Sequence, residues 1–206
     1  MTWMITISGR EHHLQGASMP CNEPTIREIA HALSQINRFN GHCSRPYSVA
    51  EHSLLVSDLA QRAGATPIVQ LAALMHDAHE AYTGDVSSPV KWAVGQAWDA
   101  FEHAQAASLH NTFGIRSVMT SHRAQIRQWD LIALATERRD LTAFDPVTDS
   151  PWAILDTPGQ AVAPSEVHHL DDFSLELRSW HEWRAAFSER FAALRLALKA
   201  EQTGTA

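Results

Sequence analysis

The chain has 206 residues, enough for one sizeable core, and no compositional shift marks a linker, so a single domain over 1–206 is expected. Its formal charge of −7 and pI near 6.0 argue against broad contact with nucleic acid or an anionic membrane; an anionic substrate would have to be small and held in a local cationic pocket. Cys21 and Cys43 lack zinc-ligand spacing, no apolar run reaches about 18 residues and no leader pattern opens the chain, so a soluble cytoplasmic protein without disulfides is expected.

Trp3, Ile5 and Ile7 alternate with Thr2, Met4 and Thr6 ahead of Ser8-Gly9-Arg10, which predicts a short N-terminal strand, turning at Gly9 into a hairpin. His12 and His13 would point to opposite faces of a strand, so they read as surface or loop histidines rather than a metal pair. From Thr25 the spacing changes: Ile26, Ile29, Ala30, Leu33 and Ile36 recur at helical steps, and Thr25 with Glu28 forms a capping box, predicting a helix over about 25–37. Arg38-Phe39-Asn40-Gly41 ends it. Arg38 reads equally as a helix C-terminal charge or as a phosphate-binding cation.

Ser48 and Glu51 make a second capping box for a helix striped by Val49, Leu55, Val56, Leu59 and Ala60 and stopped at Gly64. His52 lies in it, and alone it would more often be a core residue than a ligand. Thr66-Pro67 starts the next helix after a short connection, so the two should be antiparallel neighbours with His52 facing His76. That third helix carries the central stretch, LAALMHDAHEAYTGD at 71–85. Its apolar opening, Leu71 to Met75, breaks into His76, Asp77, His79 and Glu80. Helical geometry places His76 and Glu80 on one face with Asp77 about 100° round. Burying so many ionisable groups costs several kcal/mol unless they are paired or bound to a cation. His79 reads as a supporting or surface residue. Tyr82-Thr83-Gly84 ends the helix and leaves Asp85 on a loop before Pro89-Val90-Lys91.

A further helix is predicted over 92–113, with Val94, Trp98, Phe101 and residues 104–109 inward, and another over 121–141, with Ile126, Trp129, Ala133 and Leu134 inward. Asp130 sits inside that last run, either facing solvent or needing a buried partner. Residues 143–165 hold four of the nine prolines and follow neither period, so they form a lid or an excursion. Trp180, Trp183, Phe187, Phe191, Leu194 and Leu198 then predict an amphipathic helix over about 174–200, packed on the bundle or on a second subunit. The fold class is therefore all-α.

Taken in order, His52, His76-Asp77 and Asp130 resemble the H…HD…D pattern of HD-domain metal-dependent phosphohydrolases. The segments INRF at 36–39, VAEHSL at 49–54, EAYTGD at 80–85 and PVK at 89–91 look like the bacterial 5′-deoxynucleotidase branch and its phage-encoded relatives, a resemblance spanning about 25–135. It implies an HD-domain helical bundle and one divalent transition metal, Mn, Co, Fe, Ni or Zn in preference to Mg, held by His52, His76, Asp77 and Asp130. It also implies that Glu80 and Asp85 handle the attacking water and the leaving oxygen and that Arg38 holds the phosphate. Phe39 and Lys91 become substrate-binding candidates, and Phe39 stands where the family often has tryptophan.

The expected activity is phosphate release from deoxynucleoside monophosphates, by an enzyme that is a homo-oligomer. Competing readings are a dNTP triphosphohydrolase, an alarmone or cyclic-dinucleotide hydrolase, and an inactive nucleotide-binding module. Arg38, Arg45, Lys91 and Arg123 are the cations that could meet an anionic ligand.

Overall fold

The computed structural model describes residues 2–16 and 19–204. Strands β1 (Trp3–Ile5) and β2 (Glu11–His13) form an antiparallel hairpin that pairs Met4 with His12. Eleven α-helices follow among the described residues: α1 (Ile26–Leu33), α2 (Val49–Arg62), α3 (Pro67–Leu74), α4 (Glu80–Thr83), α5 (Ser88–Val94), α6 (Gln96–Thr112), α7 (Arg116–Ser121), α8 (Arg123–Leu141), α9 (Ala153–Asp156), α10 (Phe173–Glu176) and α11 (Trp180–Thr203). The architecture is an all-α bundle with one small hairpin. No helix among the described residues is long and apolar enough to cross a membrane.

Helix α2 lies at the centre. One apolar cluster joins its Val49 and Ala50 to Ile29 and Leu33 of α1, Leu71 and Leu74 of α3, and Trp183, Phe187 and Leu194 of α11. A second joins Tyr47 and Leu55, Val56 and Leu59 of α2 to Ala133 and Leu141 of α8. Each fully buried Leu or Phe contributes about 1.5–3 kcal/mol. Because α2 is wrapped on several sides, its polar Glu51, His52 and Ser57 are buried as well and find partners inside the protein. Helix α11 packs along α1, α2 and α3, so the bundle is what covers its aromatic stripe.

The local signals explain most boundaries. Thr25 and Glu28 close a full capping box on α1, Pro67 opens α3, and Ser179 with Glu182 closes a box on α11 that the sequence reading passed over. The box expected on α2 is half made. Ser48 accepts the Glu51 amide at 3.2 Å, but the Glu51 carboxylate takes two hydrogen bonds from Arg45, a stronger and buried partner.

Four other expectations need correction. The helix expected to carry His76 and Asp77 stops at Leu74. The Met75 amide bonds to both Leu71 and Ala72, and a run of tight turns follows, with Ala78 bonded to Met75 and Glu80 to Asp77. The helix expected over 92–113 is two, α5 and α6, hinged at Gly95, whose φ of 70° is a left-handed conformation that glycine takes without steric cost; Val94 is consequently exposed rather than inward. His122 likewise separates α7 from α8. His12 is buried, not a surface residue: its ring stacks on Tyr82 at 3.6 Å. The hairpin alternates as expected, with apolar Trp3 and Ile5 facing solvent, Met4 packing inward and Thr6 donating to Glu28.

The proline-rich segment 143–165 is pinned to α8. Arg138 holds Asp156 with two hydrogen bonds, the Ser165 amide donates to Thr136, and Leu155 is fully buried.

Candidate metal centre

Four side chains from three regions meet at the junction of the two apolar clusters: His52 from α2, His76 and Asp77 from the turn after α3, and Asp130 from α8. His52 Nε2 lies 3.3 Å from His76 Nε2, 3.3 Å from an Asp130 carboxylate oxygen and 3.5 Å from Asp77 Oδ2. His76 Nε2 is 3.1 Å from Asp77 Oδ2 and 3.8 Å from Asp130. An ion about 2.1 Å from each donor would hold neighbouring donors about 3.0 Å apart in octahedral and about 3.4 Å apart in tetrahedral geometry. The separations among His52, His76 and Asp130 are of that order, and Asp77 Oδ2 comes close to both imidazoles. His52, His76 and Asp130 alone form a group whose donor atoms are mutually within 4.8 Å. The site therefore holds buried His and Asp groups able to take a metal ion, and two imidazole nitrogens with carboxylate oxygens suit a borderline divalent cation.

The geometry behind the donors supports the same use. His76 Nδ1 donates to the Ala73 carbonyl at 2.8 Å. A continuing helix would have engaged that carbonyl with the amide of Asp77, so the early end of α3 releases the acceptor that turns Nε2 toward the centre. His52 Nδ1 is held by Glu137 at 2.5 Å, and the same carboxylate accepts from Tyr47 Oη at 2.9 Å and from Arg38 through Nε and Nη2. A carboxylate behind a ligating imidazole fixes its tautomer and raises its basicity. Glu137 was missed in the sequence. Its signal was its place seven residues after Asp130, on the same face of one helix.

Electrostatics bind the cluster together. Burial alone would lower His76, yet Asp77 and Asp130 raise it to about 9; His52 rises too, against burial and Arg38, under the pull of Glu137, Asp130 and Asp77. Burial would raise Asp77 and Asp130, but the two imidazoles hold both well below the usual carboxylate range. Each imidazole thus favours the charged form of the carboxylates beside it, and each carboxylate that of the imidazoles. A metal takes neutral imidazole, so its binding competes with protons at these rings.

The other predicted residues divide sharply. Arg38 sits on a 3₁₀ turn between α1 and α2 rather than at a helix end. It commits Nε and Nη2 to Glu137 and leaves Nη1 facing Asp77 and Asp85, each at 3.8 Å. Glu80, 3% exposed, is pushed well above the usual range by burial and by Asp77 and Asp85; Asp85 is raised by burial although Arg38 opposes it. Phe39 takes a left-handed φ of 54° and lies 5.7 Å below the Arg38 guanidinium, with Trp152 of the proline-rich segment 6.3 Å away. Lys91 is turned to Glu102, its Nζ donating at 2.6 Å. Arg45 is consumed by Glu51 and the Leu170 carbonyl, and Arg123 is exposed at the start of α8. His79, expected as a surface or supporting residue, is buried beside Glu80 and Glu102.

A cleft of about 640 Å³ is lined by His110, Arg116, Ser117 and Thr120 among others; none of the four converging donors lines it, so the donor cluster is not that cleft. No protein-family model matches the sequence. The chain is 36% identical over 156 residues, covering 76% of its length and 80% of the relative's, to the uncharacterized protein YfdR of Escherichia coli strain K12. It is 32% identical over 202 residues, covering 93% of its length and 95% of the relative's, to the uncharacterized protein RCAP_rcc00048 of Rhodobacter capsulatus. On that identity and coverage, the chain belongs to the protein family that contains YfdR and RCAP_rcc00048.

Proposed function

We propose that this protein is a metal-dependent phosphohydrolase of the HD-domain type that releases phosphate from deoxynucleoside monophosphates. The observation that carries the reading is the convergence of His52, His76 and Asp130 on one point, with Asp77 against both imidazoles and Arg38 Nη1 facing Asp77. A bound Mn, Co, Fe, Ni or Zn ion would polarise the phosphoryl group and lower the pKa of a coordinated water. The chain's own residues do the rest. Arg38, anchored by Glu137, offers Nη1 to a phosphate oxygen, a donor geometry suited to planar recognition of an oxyanion. Glu80 and Asp85, whose buried carboxyls hold protons more tightly than usual, would give a proton to the leaving oxygen and orient the water. Phe39 and Trp152 form an aromatic wall beside Arg38, against which a sugar or base can lie.

Monophosphate specificity rests on charge. Lys91 and Arg45 are held by Glu102 and Glu51, and Arg127 is paired with Asp130, so Arg38 is the cation with a donor left for a phosphate, fewer than a triphosphate calls for. The test is phosphate release from a panel of nucleoside mono- and triphosphates with Mn, Co and Mg, alongside metal analysis of the purified protein. Phosphate from deoxynucleoside monophosphates is expected, and Arg38→Ala should lower kcat/KM about 10²-fold, or roughly 2.7 kcal/mol, with metal content unchanged. Release of triphosphate from dNTPs would move the assignment to the triphosphohydrolase reading. Metal binding with no turnover on any substrate would favour a nucleotide-binding module.

A further inference from the structure

Next to the first donor cluster, and sharing none of its donors, is a second group: His79, Glu80 and Glu102 offer three ligand atoms that all lie within 4.8 Å of one another. His79 is 7% exposed and Glu80 3%, and neither is satisfied. Both ring nitrogens of His79 and Oε2 of Glu80 lack a hydrogen-bond partner in the protein; His79 Nε2 comes to 3.4 Å from Glu102 without hydrogen-bond alignment. Buried polar atoms left unpaired are destabilising, so three in one spot call for a ligand. The surroundings specify its charge. Glu80, Glu102, Asp77 and Asp85 are faced by Arg38 and Lys91, and Arg38 is already engaged by Glu137.

We propose that His79, Glu80 and Glu102 form a second divalent-cation site beside the first, taking a borderline ion such as Mn or Zn. One imidazole nitrogen and two carboxylate oxygens make a three-ligand set of the kind that leaves positions open to water. The chain arranges it economically. The tight turns after α3 that present His76 and Asp77 to one centre carry straight on into His79 and Glu80, while α6 supplies Glu102 from across the site. Lys91 Nζ, 2.6 Å from Glu102, is the resident counter-cation and competes with the metal for that carboxylate. Glu80 has two oxygens and can ligate through one while the other serves the first centre. The second site does not depend on the phosphohydrolase reading.

The test counts metal. Demetallated protein is titrated with Mn²⁺ or Zn²⁺ by calorimetry, and bound metal is measured by elemental analysis after desalting. The wild type should take up two equivalents in separable phases. His79→Ala and Glu102→Gln should each weaken one phase by about tenfold or more and leave the other, whereas Asp130→Ala should weaken the other phase and keep this one. Lys91→Met should tighten the phase that Glu102→Gln weakens. A wild type that saturates at one equivalent, or His79→Ala and Glu102→Gln proteins that both keep two unweakened phases, overturns the proposal. If His79→Ala does not fold, the opposite shifts in Glu102→Gln and Lys91→Met still decide, since loss of structure cannot tighten binding. Two equivalents without phosphate release would leave this site standing and remove the proposed activity; one equivalent with phosphate release would do the reverse.

Discussion

Glu137 and Glu80 are both buried glutamates that feel the charge of Arg38, and they behave in opposite ways. Burial pushes each toward the neutral form. At Glu137 it is overcome by Arg38 and His52 and by the hydrogen bond from Tyr47, and the carboxyl is held below its usual range. At Glu80 burial is reinforced by Asp77 and Asp85, one oxygen has no partner, and the carboxyl is held far above it. Depth alone therefore does not decide ionisation; the sign and alignment of the neighbours does. A carboxylate with every acceptor position used is fixed in place and can orient a ligand. One with an open oxygen and a tightly held proton can exchange protons or coordinate a cation.

The largest effect that would sharpen this contrast is at Glu80. Glu80→Gln keeps the shape and removes the exchangeable proton, so phosphate release should fall by about 10²–10⁴-fold while the ion at His52, His76 and Asp130 stays bound. Near-normal turnover in that variant would reduce Glu80 to a bystander.

Glu137→Gln should act in the other direction. It leaves the Arg38 guanidinium and the His52 ring without their charged acceptor, and removing one partner of a buried ion pair costs about 3–5 kcal/mol of stability. Metal affinity at the first centre should drop about 10–100-fold through loss of the His52 orientation. Thermal melts and metal titration together check it. Unchanged metal affinity with lowered stability would make Glu137 a purely structural anchor.

Glu137 also marks where the sequence stopped being informative. His52, His76, Asp77 and Asp130 could be picked out because ligand-type residues in apolar helical runs are expensive and come in a recognisable order. Glu137 lies in TERRD, where acids and bases alternate as they do on any solvated helix face, and only its register with Asp130 separated it from its neighbours. The helix break at Met75 was invisible for a different reason. Leu71 to Met75 carries no glycine or proline, and the break is made by tight turns whose consequence, a released Ala73 carbonyl, exists only once His76 folds back to it. Gly95 was legible and was read through. The burial of His12 depends on Tyr82, some 70 positions away, and no local pattern carries that contact.

A third buried carboxylate, far from the centre, extends the comparison to stability. Glu28 accepts hydrogen bonds from Thr6 at 2.8 Å, Arg10 at 3.0 Å, and the Thr25 amide and hydroxyl at 2.9 and 3.0 Å, tying the hairpin to the start of α1. Burial would raise it, but the bonds from Thr6 and Thr25 lower it from 4.5 to about 2. Because the folded value lies below the unfolded one, the stabilisation is complete above pH 4.5 and drains away as pH falls toward 2. A displacement of that size corresponds to at most about 3.4 kcal/mol at neutral pH. Glu28→Gln keeps one acceptor oxygen, so it should lose part of that at pH 7 and little at pH 2, and its stability should vary less with pH over this window than the wild type's. Urea melts at pH 7, 4 and 2.5 measure the difference. Parallel curves would mean that Glu28 titrates alike in the folded and unfolded chains, and that its four hydrogen bonds hold the hairpin without favouring the charged form.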